Sequence, residues 1–221
     1  MQYTRITFPD LRLRARDGHK LRGYFGRLFA EHSPLLHNHE PGGRYRYAYP
    51  LVQYKVLDGI PTVLGLGAGS ALLTRLFLRV DRLEIEDLTL PVRSKEIHSE
   101  EVQPRVNGQL YAYRFVNPWL ALNQDNHRRY RQAEATAQQA LLQRLLTNHL
   151  VAVVKALGGS LDERVLVHPQ LRPLRTQFKN QPMLAFSGHF VTNVWLPDAI
   201  GLGKSVSRGF GAVRAQNERE R

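Results

Sequence analysis

Two short stretches of this sequence hold residue types that do chemistry. The first, "LLHNHEPGGRYRYAYP" from Leu35 to Pro50, carries His37 and His39 with Arg44, Arg46, Tyr45, Tyr47 and Tyr49. In extended backbone, His37 and His39 project to the same side, because side chains alternate along a strand. They could then share one site. Histidine moves protons in either direction near neutrality, since its unperturbed pKa of about 6.5 leaves both forms populated. The same pair also reads as polar surface or as half of a metal site. With no cysteine in the chain and no evident third ligand, no metal is expected.

The second stretch, "IGLGKSVSRGFGAV" from Ile200 to Val213, places Gly201, Gly203, Gly209 and Gly211 around Lys204, Ser205, Ser207 and Arg208. A dinucleotide-binding Gly-x-Gly-x-x-Gly would need a third glycine where Val206 stands. A P-loop would need its first glycine where Asp198 stands, and a carboxylate there repels phosphate. Glycines at these positions can instead turn successive backbone N–H groups toward an anion, with Lys204 and Arg208 adding charge. Val206 and Phe210 between them indicate a loop packed onto its domain rather than a linker. An earlier cluster, Gly65-x-Gly67-x-Gly69, has Ser70 at its would-be last glycine and reads as a tight turn between strand and helix, with an anion site as the alternative.

The elements that must carry these stretches follow from periodicity. "YTRITFPDLRLRAR" alternates as a strand bent at Pro9, with Arg12, Arg14 and Arg16 as a comb on one face, either tracking phosphates or simply solvated. "DGHKLRGYFGRLFAEH" has a helical apolar stripe ending at His32, read as a packed helix end. "YPLVQYKV" and "IPTVLGLG" are strands around the turn Asp58-Gly59. "GSALLTRLFLRV" is a second helix with Ser70 as a possible cap, and "RLEIEDLTL" is a fourth strand. That order is the ferredoxin-like βαββαβ. The second half repeats it loosely: strand "QLYAYRFV", a long helix from about Asp125 to Leu157 with a leucine stripe and a basic start "NHRRYRQ", strands in "RVLVHPQLRPLRTQF" and "MLAFSGHFVTNVWL", and one short closing strand. The expectation is an α+β fold of tandem ferredoxin-like (RRM-like) domains, the second degenerate: residues 1–92, a linker 93–108, and 109–221. Arg128, Arg129 and Arg131 either grip an RNA stem or form a solvated helix end. His19, His98, His127, His168 and His189 are expected to be solvated or hydrogen-bonded, and His149 structural.

The balance of 31 Lys+Arg against 19 Asp+Glu, a formal +12 over 221 residues, favours a polyanionic partner. Nucleic acid leads, and an anionic membrane surface is the alternative. No apolar run approaches the length of a spanning helix, the start "MQYTRITFPD" has no signal core, and a soluble cytoplasmic protein is expected.

Together these features acquire a likeness. A Gly-x-Gly-x5-Gly-x-Gly segment, here "GLGKSVSRGFG", closing a tandem ferredoxin-like chain resembles the repeat-associated (RAMP) superfamily of CRISPR proteins. In particular it resembles the sixth CRISPR-associated protein family, the endoribonucleases that cut the repeats of precursor CRISPR RNA. "LRGYFGRLF", "PLLHNHE" and "YPLVQYKV" are similar to that family's first helix, histidine-bearing loop and following strand. The resemblance implies cleavage without a metal or cofactor, in which a ribose 2′-hydroxyl attacks the adjacent phosphate to leave a 2′,3′-cyclic phosphate and a 5′-hydroxyl. It implies His39 as general base or acid, His37 as its partner, and Tyr47 in an orienting or stabilising role with Tyr45 as substitute. Arg44 and Arg46 would meet phosphate, and the glycine segment would bind RNA. The implied partners are repeat RNA, its processed product and other CRISPR effector subunits. A RAMP-type subunit that holds guide RNA without cutting it is the alternative; a nucleotide-dependent enzyme is a further rival that the failed glycine motifs disfavour.

Overall fold

The structure, a computed structural model, describes residues 1–28, 49–178 and 181–216. These fall into two units, Met1–Val102 with Val206–Gly209, and Gln103–Ser205 with the chain from Phe210 onward.

The first unit runs β1 (Gln2–Thr7), α1 (Gly18–Leu28), β2 (Val52–Leu57), β3 (Ile60–Leu66), α2 (Ala68–Leu76), β4 (Arg82–Ile85), β5 (Leu88–Pro91) and β6 (Glu96–Glu101). Its sheet has the order β2-β3-β1-β6, antiparallel throughout. Asp58 and Gly59 turn β2 into β3 with φ of 52° and 83°, the double positive φ whose twist matches flanking strands. Leu21, Tyr24 and Phe25 bury one face of α1. Phe25 is central, its ring 5.3 Å from Tyr24, 5.6 Å from Tyr54 and 6.3 Å from Phe8.

Four expectations change here. The strand stops at Thr7, and Leu11 and Leu13 reach the core from a loop, so their alternation mimics a strand. Arg12 Nη1 donates to the Pro9 and Leu11 carbonyls at 2.7 and 2.8 Å, and residues Ala15–Asp17 form a short 3₁₀ turn, so no comb of three arginines exists. The fourth expected strand folds on itself as the β4–β5 hairpin, and the sheet is completed by β6, from the stretch expected as a linker. Ser70 lies inside α2 rather than capping it, its hydroxyl 2.5 Å from that of Thr4. A Cβ on Gly69 would meet the Leu51 carbonyl oxygen at 2.3 Å, so the earlier glycine cluster serves close packing.

The second unit runs β7 (Arg105–Phe115), α3 (Gln124–Gln132), α4 (Ala135–Ala156), β8 (Val167–Phe178), β9 (Gln181–Trp195) and β10 (Val213–Ala215), with sheet order β10-β7-β9-β8. The single long helix expected here is two. Glu134 leaves helical geometry, and Gln138 Nε2 donates to the Tyr130 and Ala133 carbonyls at 2.9 and 3.0 Å, occupying acceptors freed by the break. Both sheets place their strands in the order fourth, first, third, second, which makes the fold a tandem ferredoxin-like α+β arrangement. Between β9 and β10, at the chain position where the first unit has its second helix, lies the glycine-rich segment with a 3₁₀ turn, Val206–Arg208, that is counted with the first unit.

One residue of β2 opposes the fold's electrostatics. Lys55 is fully buried on the face opposite Tyr54, and its Nζ makes no hydrogen bond. Burial pushes its ammonium from the usual 10.5 down to about 7. The unfolded chain keeps this proton up to about pH 10.5 and the folded chain only to about pH 7, so stability rises with pH across that window. Lys55→Met is expected to raise the melting temperature near neutrality by several degrees, each kcal/mol being worth about 2–4 °C in a chain of this size. It should also flatten the rise toward alkaline pH. Calorimetry of both proteins across the window is the check; a variant that melts lower and keeps the slope contradicts an unfavourable buried charge.

Candidate nucleic-acid interface

His37, His39, Arg44, Tyr45, Arg46 and Tyr47 lie outside the described residues, as does His32. Tyr49, the third tyrosine of that stretch, is described, and its hydroxyl accepts from Gln53 Nε2 at 3.0 Å. The glycine-rich segment is described in full.

That segment is built by backbone pairing. Ala199 N–H donates to Val213 O at 2.8 Å, Val213 N–H to Ile200 O at 3.0 Å and Leu202 N–H to Gly211 O at 2.9 Å, with a bridge between Gly201 and Ala212. Gly211 N–H then reaches Pro118 O at 2.9 Å, and Lys204 N–H reaches Leu120 O at 3.0 Å. The amides of Leu202, Lys204 and Gly211 are therefore committed to carbonyls and do not converge on an anion. An amide nest in this loop is thereby limited to its other N–H groups. Two glycines admit neighbours where a side chain would collide. A Cβ on Gly211 (φ 67°) would lie 1.9 Å from Leu202 O, and one on Gly203 (φ 85°) would lie 2.6 Å from Trp119 Nε1. Phe210 is the packed residue its position suggested, edge-on to Phe178 at 5.7 Å beside Leu120 and Ala185. In the first unit, Gly209 approaches Gly18 so closely that a Cβ on Gly18 would sit 2.9 Å from Gly209 Cα.

What the segment offers outward is side chains. Lys204 is exposed, while Ser205, Ser207 and Arg208 are half-buried. Beneath Lys204 lies a polar layer the sequence did not single out. Trp119 is fully buried with its indole N–H unbonded, and the His149 ring meets its edge at 5.6 Å. Burial, then the positive charge of Lys204, lowers the His149 imidazole from 6.5 to about 4, so it stays neutral under the lysine near neutrality. His149 is thus a packing residue, as expected. The basic start of the helical region is exposed, with Arg128 paired to Asp125.

Among the described residues, no three His, Cys, Asp or Glu side chains are grouped so as to hold a metal, and no helix is long and apolar enough to cross a membrane.

Comparison with known proteins covers both units. Residues 1–103 match the family model described as the Cas6b N-terminal domain, and residues 105–216 the Cas6b C-terminal domain. A crystal structure of Cas6b superposes with a TM-score of 0.92 at 31% identity, covering 97% of this chain and 99% of that one. A crystal structure of the CRISPR RNA processing endoribonuclease Cas6b gives 0.79 at 30% identity, covering 98% and 100%. An uncharacterised protein of Methanocaldococcus jannaschii is 28% identical over 109 residues, 49% of this chain and 74% of its own length.

The geometry makes Gly211→Ala a severe change. Positive φ alone disfavours alanine by about 1–2 kcal/mol, and the Leu202 carbonyl must also move. A drop in melting temperature of roughly 10 °C or more is expected by thermal denaturation. Gly108→Ala, where a Cβ meets nothing within 4 Å, is the control and should stay within about 0.5 kcal/mol of the parent. Equal melting of the three proteins would contradict the close approach.

Proposed function

The chain belongs to the Cas6b family, and from that premise we propose that it cuts the repeats of precursor CRISPR RNA without a metal ion. The observation that supports this most is that both units match that family, one model for each. In the proposed reaction the ribose 2′-oxygen loses its proton to a base and bonds to the adjacent phosphorus. The bond from phosphorus to the 5′-oxygen breaks, and an acid protonates the leaving oxygen. The products are a 2′,3′-cyclic phosphate and a 5′-hydroxyl. His39 serves as base or acid with His37 as its partner, Tyr47 or Tyr45 orients them, and Arg44 and Arg46 bind phosphate.

In this reading Lys204 and Arg208 hold RNA through their charge, since the neighbouring amides of Leu202, Lys204 and Gly211 are occupied within the protein. Ser205 and Ser207 add hydroxyls beside them. The glycines Gly201, Gly203, Gly209 and Gly211 act through the shape of the segment.

Two experiments test the proposal. Purified protein should cut its cognate repeat in EDTA, and end-group analysis should find the cyclic phosphate. His39→Ala, alone or with His37→Ala, should slow cutting by roughly 10²–10⁴, the usual contribution of a general acid or base, with RNA affinity retained. Cleavage that requires a divalent ion overturns the metal-free reaction, and undiminished cleavage by the double variant overturns the site. Bound but uncut repeat favours a guide-holding role. Separately, Lys204→Ala and Arg208→Ala should each weaken repeat binding and lower its salt dependence by close to one counterion. Wild-type affinity at physiological salt would leave the segment a purely architectural role.

A further inference from the structure

The strand register of the second unit aligns residues far apart in the chain. Arg214 of β10 pairs with Arg114 of β7, Arg114 with His189 of β9, and His189 with Gln170 of β8. Directly paired residues share a face, so these four side chains form one row across the whole sheet. At about 4.8 Å per strand the row spans roughly 14 Å. Flanking it on the same face are His168, and Arg172, whose Nε donates to Ser187 Oγ across the β8–β9 pair at 3.3 Å. The opposite face holds Tyr113, Phe115 and Phe190, stacked into the core.

The row is built for an anion. Arg114 is half-buried, its Nε makes no hydrogen bond, and no carboxylate pairs with it among the described residues. Arg214 Nε lies 3.7 Å from Asp198 Oδ1. His168, Gln170, Arg172 and His189 are exposed. A groove of about 650 Å³ runs beside them, with Gln139 and Gln143 of α4 on its far side. Pro169 and Pro173 lie on β8, which among the described residues pairs with β9 alone. Prolines there withhold N–H donors, so an added protein strand does not fit the groove. The row also adjoins the glycine-rich segment, since Leu174 and Ala185, one step beyond Arg172 and Ser187, pack against Phe210.

We infer that this face, with Arg114 and His189 at its centre and Arg172 and Gln170 at its edge, is a binding track for an unpaired stretch of RNA. Guanidinium, imidazole and amide groups at strand spacing can reach successive phosphates and base edges of an extended chain. Single-stranded RNA exposes these groups together, whereas duplex RNA does not. This track rests on the RNA-processing reading above and adds to it where unpaired RNA lies.

The test compares wild-type protein with Arg114→Gln, His189→Gln and Arg172→Gln, titrated with oligouridylate and with an RNA hairpin of equal length. Each variant should bind oligouridylate about threefold to tenfold more weakly, and each lost arginine should reduce the salt slope by about 0.7, the single-strand value per phosphate contact. Hairpin affinity should change less. His189→Gln and Arg172→Gln alter exposed positions and keep the test meaningful should Arg114→Gln unfold. In unaltered protein, 4-thiouridine crosslinks should map to β7, β8 and β9. Wild-type affinity and slope in the exposed variants, or crosslinks confined to residues 201–211, overturn the track while leaving repeat cleavage intact. A wild-type protein that binds neither RNA and cuts no repeat removes the reading and the track together.

Discussion

No side chain fits at Gly211, where a Cβ would stand 1.9 Å from the Leu202 carbonyl oxygen. The hydrogen bond from Leu202 N–H to Gly211 O, at 2.9 Å, holds the two limbs of the glycine-rich segment together, and the Ala199–Val213 and Ile200–Val213 bonds extend the pairing. This pairing delivers β10 to β7. A strand of three residues has few ladder bonds of its own, so its place in the sheet follows from the turn that precedes it. Arg214 enters the cross-strand row by the same route. The spacing that first resembles a phosphate-binding loop is therefore a device for bringing two lengths of backbone into contact.

The two units also show how one strand order tolerates unequal contents. In the first, α2 lies against β3 and contributes Leu72, Leu73 and Leu76 to the core. In the second, the equivalent connection has no such helix, and α4 supplies the leucine stripe by itself. Phe210 and Leu120 cover part of the opposite sheet face instead. The uncovered remainder of that face is where Arg114 and His189 stand.

Much of this was legible in the sequence because it is local. The Asp58-Gly59 turn, the apolar faces of α1 and α4, the glycine segment and the order of elements each depend on neighbouring residues. What the sequence leaves hidden depends on partners distant in the chain. Leu11 and Leu13 alternate like a strand yet enter the core from a loop. "RLEIEDLTL" has strand character, but its acidic turn closes a hairpin and leaves the sheet position to β6, whose six residues are all exposed and give no apolar signal. Asp125 to Leu157 reads as one helix because nothing in its periodicity marks the bond pattern at Glu134. The row from Arg214 to Gln170 was invisible, for it exists only in the register of four strands. The glycine spacing suggests anion binding, and which loop amides are committed to Pro118 and Leu120 is visible only in the fold. The histidine stretch was legible by residue type alone, and its geometry lies outside the described residues.

The pairing of β1 sets a schedule. Its register joins Tyr3 to Leu66 on one side and Gln2 to Glu101 on the other. Ribosomes add roughly 5–20 residues per second, so β1 leaves the exit tunnel many seconds before its second partner has been made. Until then it is a strand with a bare edge, beside other unfinished chains. Chaperone dependence during synthesis, rather than stability once folded, is where mutations in β1 and β6 should first be felt.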